Sequence, residues 1–281
     1  MAVRIKSYAK LNFTLSVTGV KDGYHMLDSV VCTADLYDLI VLKKRKDSLV
    51  SVTMHGQNSE SIPFEQNNAV KAAQAFIDRY STCGADITVY KNIPEKAGLG
   101  GSSADAAGVL NGLFKLYDID DEVGKKLLAD GVGSDVRYML SGGWARLTER
   151  GTAVKYLDGN LKLDILLLVP KEGVSTKECF NLFDKECAFG TADNSAEQAV
   201  LACDKYALAK CAQNSLLTTA EKLSKDVEKA VEELREFDPL AVNMTGSGSG
   251  VYAIFENAEF CRYAKSRYRG KFAAYVLKTV L

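Results

Sequence analysis

Hydrophobic and polar residues alternate over residues 9–17, a pattern typical of a β-strand with one buried face. We predict one strand over residues 3–17. Lys10 and Asn12 are neighbours on its polar side, about 7 Å apart along an extended chain, which suits a grip on one small polar ligand. The alternative is a strand face that is simply solvated.

The same periodicities predict the rest of the fold. Further strands are expected over residues 29–42, 49–54, 87–90, 144–148, 153–156, 161–169 and 272–280, with a glycine-containing hairpin over 241–255. Helices are expected from residue 67, with Asn67 as the N-cap, and over 106–117, 121–130, 195–233 (in segments, with a break at Asn214) and 258–268. A serine-capped helix begins near residue 175. From residue 161 onward this order favours a ferredoxin-like α/β sandwich.

Composition narrows the class of protein. The 281 residues carry 35 Lys+Arg against 36 Asp+Glu, a net charge of -1, so a general nucleic-acid binder is not expected. The seven cysteines include no Cys-x-x-Cys pair, which favours reduced thiols in the cytoplasm over a zinc site or a disulfide framework. The longest apolar run is too short for a membrane span.

A run of glycines and serines stands where the strand at 87–90 gives way to the helix at 106–117. Glycine allows a ligand to approach the backbone, and the free N–H groups and dipole of a helix start favour negative charge. The run therefore predicts a phosphate site, with Ser102 and Ser103 as hydroxyl donors. An ordinary turn with a serine N-cap is the alternative. Neither the Walker nor the dinucleotide-binding spacing is present.

This run resembles the central motif of the GHMP kinases (galactokinase, homoserine, mevalonate and phosphomevalonate kinases). The resemblance implies an α+β fold of two domains: an N-terminal mixed sheet with helices, a C-terminal ferredoxin-like α/β sandwich, and an active site in the cleft between them. We expect the boundary near residue 158, giving domains 1–157 and 158–281. The ATP and phosphate residues implied are Lys91, Asn68, Pro94, Gly98, Leu99, Gly100, Gly101, Ser102, Ser103, Ala104 and Asp105. Bare helix capping is the alternative for Asn68, and an exposed lysine for Lys91.

Two N-terminal segments resemble one branch of these kinases, whose substrate is a cytidine diphosphate-linked methylerythritol. They are residues 9–13, which contain Lys10 and Asn12, and residues 22–25, which end in Tyr24 and His25. The resemblance gives Tyr24 and His25 a role in holding cytosine, and a pyrimidine does offer a face for stacking and polar edges for hydrogen bonds. Substrate contacts are implied for Asn12, Tyr24, His25, Thr176 and Phe180, with Tyr24 and Phe180 on opposite sides of the base. A strand start for residues 24–25 and a core position for Phe180 are the alternatives.

The catalytic pair implied by the resemblance is Lys10 and Asp135. Asp135 follows Gly133 and Ser134 where the family carries its catalytic base, although glycines around one Asp also suit a plain turn or N-cap. The chain departs from the family in two places: Arg137 replaces a proline, and the serines of the glycine run have moved by one position. Arg137 could reshape the loop or add a phosphate contact.

A third family motif is matched by Thr245, Gly246, Ser247 and Gly248 in the predicted hairpin, where a simple hairpin turn is the alternative. The resemblance implies a cytoplasmic, ATP- and magnesium-dependent kinase with a small-molecule substrate, acting as a monomer or homodimer, without nucleic-acid or membrane partners. The magnesium ligands stay open. The competing hypotheses are a homoserine- or mevalonate-type kinase and a GHMP-fold protein that binds nucleotide without turnover.

Overall fold

The computed structural model describes residues 2–56 and 64–280. The strands in chain order are β1 (Ala2–Asn12), β2 (Thr14–Lys21), β3 (Tyr24–Lys44), β4 (Val50–His55), β5 (Ala85–Tyr90), β6 (Ala145–Glu149), β7 (Ala153–Tyr156), β8 (Asp164–Val169), β9 (Gln213–Asn214), β10 (Ala241–Met244), β11 (Val251–Phe255) and β12 (Ala273–Val280). The helices are α1 (Asn68–Tyr80), α2 (Gly101–Tyr117), α3 (Glu122–Val132), α4 (Val136–Met139), α5 (Thr176–Glu186), α6 (Ser195–Leu201), α7 (Lys205–Cys211), α8 (Leu217–Leu223), α9 (Lys225–Arg235) and α10 (Ala258–Arg267). A 3-10 turn occupies Phe64–Gln66.

The chain divides into two compact units, and it passes between them several times. The described residues of the first unit are 2–9, 36–56, 64–93 and 100–141. Here β5 pairs antiparallel with the last part of β3 and parallel with β4, which is the predicted mixed sheet. Helices α1 and α2 pack together, with the rings of Phe76 and Phe114 edge to face at 5.1 Å between centroids.

The second unit contains residues 10–35, 94–99 and 142–280. Its antiparallel sheet has the strand order β10-β11-β8-β12. Because α5–α9 follow β8 and α10 connects β11 to β12, the chain runs in the β-α-β-β-α-β order of a ferredoxin-like sandwich, as predicted. The core between this sheet and the helices is formed by buried apolar side chains, among them Leu166, Phe183, Val231, Ala253 and Phe255.

The alternating N-terminal segment differs from the prediction in two respects. It is two strands, because Phe13 interrupts it between β1 and β2, and the Phe13 ring packs on Trp144 at 4.8 Å between centroids. Its polar side is not a solvated face, since Lys10 and Asn12 are only 7% and 3% exposed. Burial on both sides requires hydrogen-bond partners for the polar groups, and these lie in the candidate site.

Most other predicted elements are present within a few residues of their expected bounds. Asn67 caps α1 by accepting the N–H of Ala69 (2.9 Å), and Ser175 caps α5 through the N–H of Glu178. The strand predicted at 29–42 is longer and begins at Tyr24, so residues 24–25 do start a strand. Within residues 2–56 and 64–280, no helix is both long and apolar enough to cross a bilayer.

Candidate active site

Lys10 and Asn12 form a buried polar pair on β1. The Lys10 Nζ donates to Asn12 Oδ1 (2.8 Å), and the Asn12 Nδ2 donates to the hydroxyl of Ser29 (2.8 Å). The Lys10 backbone N–H donates to the carbonyl of Leu99 (3.0 Å), which ties this strand to the glycine run. The spacing of Lys10 and Asn12 thus brings a cation and an amide together, as predicted.

The loop between β10 and β11 packs on the first half of the glycine run. The N–H groups of Ser249 and Gly250 donate to the carbonyls of Lys96 and Ala97 (both 3.1 Å), and the Thr245 hydroxyl donates to the carbonyl of Gly98 (3.1 Å). This third glycine motif is therefore more than a hairpin turn, because it holds a second loop through backbone hydrogen bonds.

Gly98 is required at its position by both conformation and space. Its φ of +72° lies in the left-handed region, and a Cβ there would lie 2.0 Å from the Thr245 carbonyl oxygen. The same motif returns to the strand, since the Gly246 N–H donates to Asn12 Oδ1 (3.1 Å) and the Asn12 N–H donates to the Thr245 hydroxyl (3.1 Å). Asn12 is thus fixed from several directions.

The second half of the glycine run begins α2. The N-cap is Gly100, with φ +71° and no side-chain cap, so the serine N-cap alternative is wrong. The Ala104 N–H donates to the Gly100 carbonyl (2.9 Å), while Ser102 is exposed and Ser103 half-buried in the first turn. A helix start without a side-chain cap offers its N–H groups and its dipole to an anion, which fits a nucleotide phosphate.

Lys91 is not an exposed lysine. Its side chain is 6% exposed, and its Nζ forms ion pairs with Asp38 and with Asp105 Oδ2, the latter at 2.7 Å. Burial acts to lower the pKa of Lys91, but the nearby Asp105 and Asp38 carboxylates outweigh it, so the net shift is upward. The ammonium lies behind the first residue of α2, 3.5 Å from where a Cβ on Gly101 would be.

Asp135 occupies the short connection between α3 and α4. It is half-buried, and its carbonyl accepts the Met139 N–H (3.1 Å) at the start of α4, without a side-chain cap. Arg137 sits in the first turn of α4, and its Nε lies 3.1 Å from Asp130 Oδ1 on α3. Arg137, which stands where the family has a proline, therefore links the two helices that flank Asp135.

An aromatic and polar cluster holds His25. Its ring stacks on Phe180 of α5 with 4.4 Å between centroids and 29° between planes, and its Nε2 lies 2.7 Å from Asp184 Oδ1. Phe180 also packs against the core of the second unit, so the core interpretation holds for that ring. Its contact with substrate stays a prediction.

Tyr24 precedes His25 as the first residue of β3. It is 56% exposed, and the Arg150 guanidinium lies over its ring at 4.5 Å from the centroid. On α5, the Thr176 hydroxyl lies 2.8 Å from the Ser247 hydroxyl of the third glycine motif. A contact of Tyr24 and Phe180 with opposite faces of one base stays a prediction, as does an adenine contact for Asn68, which is the first residue of α1.

Comparisons with known proteins agree with these motifs. Residues 67–143 match the model of the GHMP kinase N-terminal domain, and residues 196–269 match that of the GHMP kinase C-terminal domain. The 4-diphosphocytidyl-2-C-methyl-D-erythritol kinase of Clostridium beijerinckii is 34% identical over 269 residues, which cover 92% of this chain and 94% of the relative. The chain belongs to the 4-diphosphocytidyl-2-C-methyl-D-erythritol kinase family of GHMP kinases.

Solved structures are consistent with that membership. A crystal structure of 4-(cytidine 5'-diphospho)-2C-methyl-D-erythritol kinase superposes with a TM-score of 0.83 at 27% identity and covers 98% of both chains. A homoserine kinase from Cytophaga hutchinsonii reaches 0.73 at 16% identity, covering 100% of this chain and 95% of its own, and this shows the shared fold alone. The predicted boundary at residue 158 lies between the two matched domains and stays a prediction.

Sequence reasoning missed four residues of this GHMP kinase that support the candidate site: Asp38, Arg150, Asp184 and Ser29. Asp184 had a detectable signal, because it lies four positions after Phe180 and therefore on the same face of a helix. Arg150 lies in the turn between β6 and β7, and no spacing rule connects it with Tyr24.

Proposed function

We propose that this protein transfers the terminal phosphate of ATP to the 2-hydroxyl of 4-diphosphocytidyl-2-C-methyl-D-erythritol. The observation that carries the proposal is the His25 ring, stacked on Phe180 and held at Nε2 by Asp184. A flat ring with one nitrogen fixed by a carboxylate presents a defined hydrogen-bonding edge, which suits a pyrimidine better than an aliphatic acceptor. The named relatives act on such a substrate.

Roles follow from the chemistry of each side chain. Asp135 is the general base that accepts the proton of the attacking hydroxyl, and Lys10 offsets the negative charge that develops on the transferred group. The first turn of α2 and the glycine run hold the phosphates. In phosphoryl transfer these contributions act mainly by orientation and electrostatics.

Magnesium is expected to enter with ATP. Among the described residues no group of three or more His, Cys, Asp or Glu side chains is arranged to hold a metal ion. This fits magnesium, which usually keeps water and takes phosphate oxygens with one or two carboxylates rather than a protein cage. When bound, it neutralises phosphate charge.

The test is a coupled ADP-release assay with MgATP and each of three acceptors: the cytidyl substrate, mevalonate and homoserine. Of the three acceptors, we expect only the cytidyl substrate to be turned over, and mass spectrometry should identify its product as a phosphate monoester. Comparable turnover with mevalonate or homoserine would instead assign the chain to another GHMP activity. Nucleotide binding without product from any acceptor would identify a protein without turnover.

Substituting Asp135→Asn provides the matched control. This variant keeps the shape of the side chain but removes the base, so it should bind MgATP normally while losing product formation. If it formed product at the rate of the unchanged protein, Asp135 would have no part in proton transfer.

A further inference from the structure

A buried cluster of three charged groups lies behind the start of α2. It contains Lys91 and Asp105, and the roles proposed for Asp135 and Lys10 in the transfer step do not involve it. Asp38 on β3 is fully buried, and its Oδ1 accepts the N–H groups of Asn92 (2.6 Å) and Ile93 (2.9 Å). Lys91 bridges Asp38 to Asp105 on α2. One end of the cluster thus fixes the segment that leads into the glycine run, and the other end lies within the first two turns of the helix.

The cluster has an unbalanced charge. One ammonium faces two carboxylates, so full ionisation leaves a buried net charge of minus one. Asp105 is 3% exposed, and its Oδ1 has no hydrogen-bond partner among the described residues. A buried carboxylate oxygen without a donor favours the neutral, protonated acid.

We propose that Asp105 is a positioning residue that takes up a proton when a nucleotide phosphate binds at the first turn of α2. The proton comes from solvent and leaves the Asp38–Lys91–Asp105 cluster neutral. This inference rests on the proposed function, because it assumes that the α2 start binds phosphate.

Electrostatics gives the direction of the coupling. The Lys91 ammonium lies against Gly101, the first residue of α2. When Asp105 is protonated, only the Asp38 carboxylate opposes this ammonium, so its positive charge attracts a phosphate at the helix start. With both carboxylates ionised, the net negative charge of the cluster opposes the incoming anion and cancels part of the helix dipole. Anion binding therefore favours the protonated form of Asp105, and by linkage protonation favours anion binding.

The charged groups that face Asp105 agree with titration in an accessible range. Burial raises its pKa, Lys91 from the end of β5 lowers it, and Asp38 from β3 raises it again, which together place the pKa at about 8. From β1, the neutral hydroxyl of Ser7 donates to the carbonyl of Ala104, the residue before it. Terminal phosphates lose their last proton near pH 6, about two pH units below the pKa of Asp105. The titration of the nucleotide itself therefore does not interfere near pH 8.

The test is isothermal titration of MgADP into the full chain without acceptor, between pH 7 and pH 9. If only the neutral form binds well, about one molecule in ten is competent at pH 9, so the dissociation constant should rise about tenfold. Titrations at pH 8 in buffers of different ionisation heat should show net proton uptake on binding. The Asp105→Asn variant cannot titrate and should bind with little pH dependence and no uptake at this site.

The matched control is Asp78→Asn, which changes an exposed carboxylate on α1 in the same unit. It should retain both the pH dependence and the proton uptake. If MgADP binds the unchanged protein without proton uptake, the inference is overturned while the proposed function stands. If MgADP does not bind at any pH, both fail. The uptake measurement needs no variant, so misfolding of Asp105→Asn would not rescue the inference.

Discussion

On the proposed function, the contact between His25 and Asp184 predicts that this GHMP kinase prefers cytosine to uracil. In a neutral imidazole one nitrogen donates and the other accepts. In the neutral ring, the Asp184 carboxylate 2.7 Å from Nε2 can only accept a hydrogen bond, so it favours the tautomer that carries the hydrogen on Nε2 and leaves Nδ1 as an acceptor. An acceptor pairs with the 4-amino group of cytosine, whereas uracil presents an oxygen at that position.

Three substitutions of Asp184 test whether this carboxylate only orients the His25 ring or also sets which ring nitrogen carries the hydrogen. Asp184→Asn can still accept from Nε2 and should stay within a few-fold of the unchanged enzyme. Asp184→Ala removes the acceptor but leaves the stack on Phe180, and the loss of one partly exposed hydrogen bond, about 0.5–1.5 kcal/mol, should raise the KM about 2- to 10-fold. Asp184→Lys offers only donors, so Nε2 must accept and Nδ1 must donate.

The lysine variant is the decisive one. When Nδ1 donates toward the cytosine amino group, binding of the cytidyl substrate should weaken by about 1–3 kcal/mol, the usual value for a mismatched base edge. The uridyl analogue should then be used better relative to the cytidyl substrate. The assay is steady-state kinetics at pH 8 with the cytidyl substrate and its uridyl analogue, comparing the ratio of kcat/KM. If that ratio is the same in Asp184→Ala and Asp184→Lys, the carboxylate does not set the polarity of the ring.

Three further predictions concern other parts of the chain. Tyr24→Ala should raise the KM for the cytidyl substrate more than it lowers kcat, and equal losses with an acceptor lacking the base would refute stacking. Gly98→Ala should lower the thermal midpoint of unfolding, because it combines a φ of +72° with a Cβ 2.0 Å from the Thr245 oxygen; an unchanged midpoint would contradict this geometry. The pKa of Asp105 is raised to about 8 in the fold, so the folded state binds more protons than the unfolded state below that pH, and the free energy of unfolding should fall between pH 5 and pH 8. That slope should be shallower in Asp105→Asn, as measured by urea unfolding, and identical slopes would exclude the raised pKa.

Hydrophobic periodicity predicted the helices and strands that have one apolar side and one polar side. Helix α1 was found from its apolar positions and from Asn67 as the N-cap, and the cap is made by the expected side chain. The ferredoxin-like order of the second unit followed from element order alone. In both cases the decisive information is local, and local spacing is what a sequence displays directly.

The polar side of β1 shows where local patterns fail. Alternation indicates which residues share a side, but it does not say whether that side meets solvent. Asn12 is buried because Ser29 and Thr245 supply its partners, and Thr245 is 233 residues away along the chain. The motif resemblance selected Asn12 as a site residue, yet only the tertiary structure shows why an amide can be buried there.

The same limitation changes how a variant of Lys91 must be interpreted. From the sequence alone, Lys91 is a cation near a phosphate site, and Lys91→Ala would be read as a test of a phosphate contact. In the structure that truncation would leave the Asp38 carboxylate buried without its counter-ion, and breaking a buried ion pair in this way usually costs about 3–5 kcal/mol. Loss of activity in that variant would therefore report instability as readily as lost binding. Asp105→Asn avoids this difficulty, because Lys91 and Asp38 remain as a neutral pair while the titrating group is removed.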